Sequence, residues 1–97
     1  AAGFEVLTAS NGKRGLEVYI EEEGWFDLVL ADQSMPDMQG LELSRRILAR
    51  NPAARVVICT GHVDLALEKD AADAGIAAFL MKPMNPARLI EEIRRLC

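Results

Sequence analysis

The chain has 97 residues, 51% of them hydrophobic and 27% charged, with a net charge of -4. That supports one domain around one core and no second module, and no apolar run is long enough to span a bilayer. Arginines are interleaved with acids, as in the closing Glu91-Glu92-Ile93-Arg94-Arg95, so no basic face is available for nucleic acid and the expected partner is another protein.

Taken in order, Ala1-Ala2-Gly3 reads as the end of a preceding helix, because glycine adopts the left-handed cap conformation without steric cost. The chain is therefore expected to begin mid-fold. Phe4 to Ala9 reads as a strand, and Ser10-Asn11-Gly12 as a turn. Lys13 to Glu23 follows as a helix with Leu16, Tyr19 and Ile20 on one face and Gly24 as its stop. Its acidic run Glu21-Glu22-Glu23 is a solvated face, since three consecutive residues fan around a helix and cannot converge on one ion.

The central stretch is Phe26 to Gly40, FDLVLADQSMPDMQG, where an apolar strand run from Leu28 to Ala31 ends in Asp32. A helix from about Gly40 to Arg50 carries Leu41, Leu43, Ile47 and Leu48 and stops at Asn51-Pro52, because the residue before proline avoids the helical region. Arg55 to Thr60 is a second apolar strand, containing Cys59. Asp64 to Ala74 is an Ala-rich helix closed by Gly75, and Ile76 to Met81 a last strand ending in Lys82-Pro83. Asn85 caps a final helix that starts at Pro86 and buries Leu89, Ile90, Ile93 and Leu96. Four strand and helix pairs with short connections predict a parallel sheet with helices on both faces.

In such sheets the ligand site lies outside the carboxyl ends of the strands. Asp32, Thr60 and Lys82 each stand at such an end, so an acid, a hydroxyl and an ammonium are predicted to converge on one edge. Singly, each has a plain turn or packing explanation; together they make a candidate site. His62 is a lone loop histidine without partner spacing, and Met35, Pro36 and Met38 are loop packing. Cys59 and Cys97 form no CxxC or zinc spacing, which fits a reduced, cytoplasmic compartment.

The combination of DQSMPDMQG, the strand end Thr60-Gly61, and FLMKP with Phe79 three residues before Lys82 resembles the receiver domain of two-component response regulators, over the whole chain. The resemblance implies a flavodoxin-like doubly wound sheet, with residues 1–97 as one receiver lacking the first strand and most of the first helix. It makes Asp32 the phosphoacceptor, Thr60 the hydroxyl that contacts the phosphoryl group, Lys82 its counter-ion, and Thr60 with Phe79 the switch. It implies a cis Lys82-Pro83 bond, and places Ser34 and His62 where phosphoryl lifetime is tuned. It also implies Mg²⁺ held by Asp32, the backbone carbonyl of Ser34, and an acid pair that this chain lacks; Asp37 and Asp64 do not match the missing positions.

Implied partners are a histidine kinase or phosphotransfer protein, and a second receiver or an output domain meeting the last two helices and the strand between them. The implied chemistry is that of a phosphoacceptor, with at most self-phosphorylation and self-dephosphorylation. Moving a two-state switch from 1:99 to 99:1 takes about 5.5 kcal/mol, and hydrogen bonds to charged groups contribute about 1.5–3 kcal/mol each. Thr60 and Lys82 alone are therefore borderline.

Two alternatives stand beside this reading: an interaction module that works without phosphate, and a phosphotransferase of the haloacid dehalogenase type. The latter needs an acid two residues after its nucleophile, where this chain has Ser34. Absence of a central strand leaves the first two strands either about 9.6 Å apart or paired directly with repacked helices, and predicts an unstable isolated chain that cannot assemble the Mg²⁺ site.

Overall fold

The structure, a computed structural model, describes residues 5–9, 11–22, 25–62, 65–82 and 85–96. Strands and helices alternate along it: β1 (Val6–Ala9), α1 (Gly12–Glu21), β2 (Leu28–Asp32), α2 (Gly40–Arg50), β3 (Val56–Thr60), α3 (Leu65–Ala74), β4 (Ala78–Met81) and α4 (Pro86–Leu96). All neighbouring strands pair in parallel, in the order β1-β2-β3-β4. Of the two arrangements open to the first two strands, the direct one is adopted: Val6 stands opposite Leu28, and Ala9 opposite Ala31. Pairing satisfies backbone donors and acceptors that a gap would leave open on two apolar strands.

The period-2 alternation of the strands sorts the core into two layers. Leu7, Ala9, Val29, Ala31 and Val56 face Tyr19 of α1 and Leu43 and Ile47 of α2, while Ile58 and Phe79 pack with Leu41, Ala71 and Leu67 toward α3. Leu28, Leu30, Val57 and Leu80 face the other way, against Leu89, Ile93 and Leu96 of α4. Leu43 and Ile47 are fully buried, each contributing roughly 1.5–3 kcal/mol relative to an exposed side chain.

Two local expectations hold at atomic detail. Gly75 has φ +88° at the end of α3, the left-handed conformation that favours glycine. Asn85 caps α4, with its Oδ1 accepting the Arg88 N–H at 2.8 Å.

Others are corrected. The first strand is shorter than read, and α1 starts one residue earlier, ending with the Glu22 N–H bonded to the Val18 carbonyl at 3.0 Å. Ile20 and Ile90, both assigned to buried faces, are 40% and 46% exposed. No residue of α4 is fully buried, because among the described residues no other helix packs on its face of the sheet to cover its flank. Ala1 to Phe4, Glu23, Gly24, Asp64, Cys97 and the Lys82-Pro83 bond lie outside the described residues.

Candidate functional site

The ladder continues past the strands and sets the height of the site. The Gln33 N–H donates to the Cys59 carbonyl and the Lys82 N–H to the Thr60 carbonyl, both at 2.9 Å. Asp32 pairs in register with Cys59, and Cys59 with Leu80, so Asp32 and Lys82 fall on the same side of the pleat. There they meet: Lys82 Nζ donates to Asp32 Oδ2 at 2.6 Å, and the Ser34 N–H donates to Asp32 Oδ1 at 3.0 Å.

The Lys82 hydrogen bond holds the Asp32 carboxyl below its ordinary value; partial burial opposes this, while the Ser34 N–H and the Lys82 charge add to it. Asp32 is therefore a carboxylate at neutral pH. Burial and the Asp32 charge push the neighbouring Cys59 thiol up, so it stays protonated and does not compete as a nucleophile. A shallow cleft of about 220 Å³ beside Asp32, lined by Thr8, Ala9, Leu30 and Cys59, gives access to the carboxylate.

Thr60 does not join them. It pairs with Met81, one residue out of phase with Asp32 and Lys82, and its buried hydroxyl donates to the His62 carbonyl at 2.9 Å while accepting the His62 N–H at 3.2 Å. The predicted convergence of three groups is thus a pair, with the hydroxyl turned into its own loop. Phe79 is half-buried against Leu41, Ile58 and Ala71, and His62 is exposed. Met35 and Met38 are loop packing, as expected, in the α1–α2 side of the core.

Two residues of the β2–α2 loop gain roles that sequence reasoning missed. Gln33 Oε1 accepts the Leu41 N–H at 2.9 Å, capping α2 in place of Gln39, whose side chain makes no cap bond. Asp37 takes the first turn of α1 with both oxygens, Oδ1 from the Gly12 N–H at 2.9 Å and Oδ2 from the Lys13 N–H at 2.8 Å. These partners lie too far away in sequence for any local motif to mark them.

The Lys13 N–H lowers the Asp37 carboxyl from its ordinary value; partial burial opposes this, and the Gly12 N–H adds to it. A lowered carboxyl contributes stability above the unfolded value of about 3.9 and loses it as pH falls through the folded value. The stability advantage of the native chain over Asp37→Asn should therefore be full at neutral pH and shrink below about pH 4. Urea titrations across that range would check it, and a pH-independent difference would rule it out.

A parallel α/β sheet with helices on both faces and an acid paired to a lysine at its carboxyl edge is the architecture of a receiver. The chain belongs to the response regulator receiver domain family, whose profile matches residues 1–94. It is 33% identical over 95 residues to the chemotaxis protein CheY of Thermotoga maritima, covering 97% of this chain and 78% of that protein. Among solved structures it is similar to CheY4 of Vibrio cholerae, with a TM-score of 0.85 and 26% identity over 99% of this chain and 80% of that one. It also shares its fold with a chain of the CheX-CheY-BeF3-Mg²⁺ complex of Borrelia burgdorferi, with a TM-score of 0.81 and 24% identity over 89% of this chain and 64% of that one. The sheet is thus flavodoxin-like, and the chain is a domain of two-component signalling.

Receivers work with histidine kinases, phosphotransfer proteins and output domains, and generally bind Mg²⁺. Mg²⁺ takes hard oxygen ligands and is commonly held by one or two carboxylates with water and phosphate oxygens. Asp32 is such a carboxylate, and the donor type fits the ion. Among the described residues no group of three or more His, Cys, Asp or Glu side chains comes together. No helix among them is long and apolar enough to cross a membrane.

Proposed function

We propose that Asp32 is the phosphoacceptor of this receiver, in a unit spanning residues 1–97, and that Lys82 is its counter-ion. The observation that carries this is the 2.6 Å contact between Lys82 Nζ and Asp32 Oδ2 at the carboxyl edge of the sheet. One oxygen of the ionised carboxylate attacks the phosphorus of a phosphohistidine donor. The P–N bond breaks, and the donor imidazole leaves with the electron pair. Lys82 then faces added negative charge and pairs with the phosphoryl oxygens. Asp32 and the Ser34 carbonyl would hold Mg²⁺, which when bound offsets charge on the transferred group.

Thr60 and Phe79 form the switch. To contact a phosphoryl group the Thr60 hydroxyl leaves the His62 carbonyl, and the adjoining β3–β4 packing, which includes Phe79, responds. The partner surface comprises α3, β4 and α4, where a groove of about 430 Å³ is lined by Phe79, Met81, Ala87 and Arg88 among others. The donor is a histidine kinase or phosphotransfer protein in the cytoplasm, and the output is a second receiver or an output domain.

The test is to incubate the full-length protein and its Asp32→Asn variant with a small acyl phosphate and Mg²⁺ and to follow intact mass. The native protein should gain one phosphoryl group and the variant none; equal labelling of the two would refute the assignment.

A further inference from the structure

We propose that Asp37 is a positioning residue for phosphoryl transfer: it clamps the β2–α2 loop to the first turn of α1 and thereby holds the Ser34 N–H on the Asp32 carboxylate. This rests on Asp32 as the acceptor. Both Asp37 oxygens are engaged by backbone N–H groups 24 and 25 residues away in the chain. A carboxylate there also meets the positive end of the helix, so charge and hydrogen bonding act together.

A second contact seats the same loop on the same turn. A Cβ at Gly12 would lie 2.5 Å from Met38 Cβ, so α1 presses against the residue that follows Asp37 with no side chain between. At its other end the loop is tied to the acceptor, by the 3.0 Å bond from the Ser34 N–H to Asp32 Oδ1. Only Met35 and Pro36 separate Ser34 from Asp37. Met35 is buried in the core, and the proline ring fixes one of the remaining backbone angles. A displacement at Asp37 therefore has little slack to absorb it before it reaches Ser34.

The clamp is separable from the helix itself. Asn11 Oδ1 independently caps α1 through the Arg14 N–H at 3.0 Å, and Gly15 completes a backbone bond to the Asn11 carbonyl at 2.9 Å. Loss of the Asp37 carboxylate leaves α1 with its own N-cap, while the loop loses its anchor.

The experiment compares the full-length native protein with its Asp37→Ala and Asp37→Asn variants, reading amide hydrogen exchange at Ser34 and the dependence of labelling rate on phosphodonor concentration. In Asp37→Ala, exchange at Ser34 should rise about tenfold while Val57 and Ile58 in β3 change by less than about twofold. The limiting labelling rate should fall about tenfold with the half-saturating donor concentration unchanged, as for a group that orients the nucleophile and does not bind donor. Asp37→Asn, which keeps only one of the two acceptor oxygens, should be intermediate in both.

Unchanged Ser34 exchange in Asp37→Ala, or an unchanged limiting rate, would overturn the clamp. If Asp37→Ala unfolds, seen as lost protection at Val57, the same two criteria are applied to Asp37→Asn, with an intermediate rise in Ser34 exchange and fall in limiting rate supporting the clamp and no change in either overturning it. Failure of the full-length native protein to label would refute Asp32 as acceptor, while Ser34 exchange would still decide whether Asp37 holds the loop.

Discussion

Lys82→Ala is expected to slow labelling of Asp32 by a small acyl phosphate about hundredfold, the loss typical of removing one preorganised charge from a site where charge develops. The ammonium already stands 2.6 Å from Asp32 Oδ2, so no side chain must be brought in as the phosphoryl group arrives. The effect does not come from loss of the nucleophile. Without Lys82 the Asp32 carboxyl returns toward its ordinary value of about 3.9 and remains ionised at neutral pH.

Nor does it come from unfolding. The Lys82 side chain is 45% exposed, so the pair contributes less than about 1 kcal/mol to stability. Lys82→Arg should not restore the rate, because a planar fork does not replace a point charge at the end of a flexible stem. Single-turnover labelling followed by mass, with urea unfolding of the same variants, separates these effects. A loss in rate smaller than about threefold would remove Lys82 from the mechanism.

Gly40→Ala should be the most damaging small substitution near the site, at about 1–3 kcal/mol of stability, the usual range for overpacking. A Cβ there would stand 2.8 Å from the Asp32 carbonyl oxygen, 3.0 Å from its carbonyl carbon and 3.1 Å from Gln33 Cα. These are backbone atoms of the residue that carries the acceptor and of its neighbour. They cannot swing aside as a flexible side chain does, so relief of the clash moves Asp32 itself. Gly61→Ala is the control: it has nothing within 4 Å of a Cβ and should change stability by no more than about 0.5 kcal/mol. Urea midpoints of the two variants would check the contrast. Equal midpoints would mean that the close approach of α2 to β2 carries no strain.

Much of the site is legible before any tertiary contact is known. The apolar runs ending in Asp32 and Lys82 identify strand ends, and parallel strands send those ends to one edge, where the two side chains do meet. Gly75 and Asn85 declare their helix boundaries through residue types that only those backbone positions favour. Cys59 stands inside an apolar strand, as read.

What the sequence determined by itself are therefore the quantities set by neighbours along the chain: period 2 in strands, period 3.6 in helices, caps, and the polar residue at each strand end. The tertiary structure alone decided which groups face one another across strands and loops. Register placed Thr60 one residue out of phase with Asp32 and Lys82, turning its hydroxyl to the His62 carbonyl. Backbone satisfaction brought β1 directly against β2. Asp37 and Gln33 became caps of α1 and α2 only when the loop folded across them, because a helix N-terminus accepts any carboxylate or amide oxygen that packing delivers, however distant in sequence.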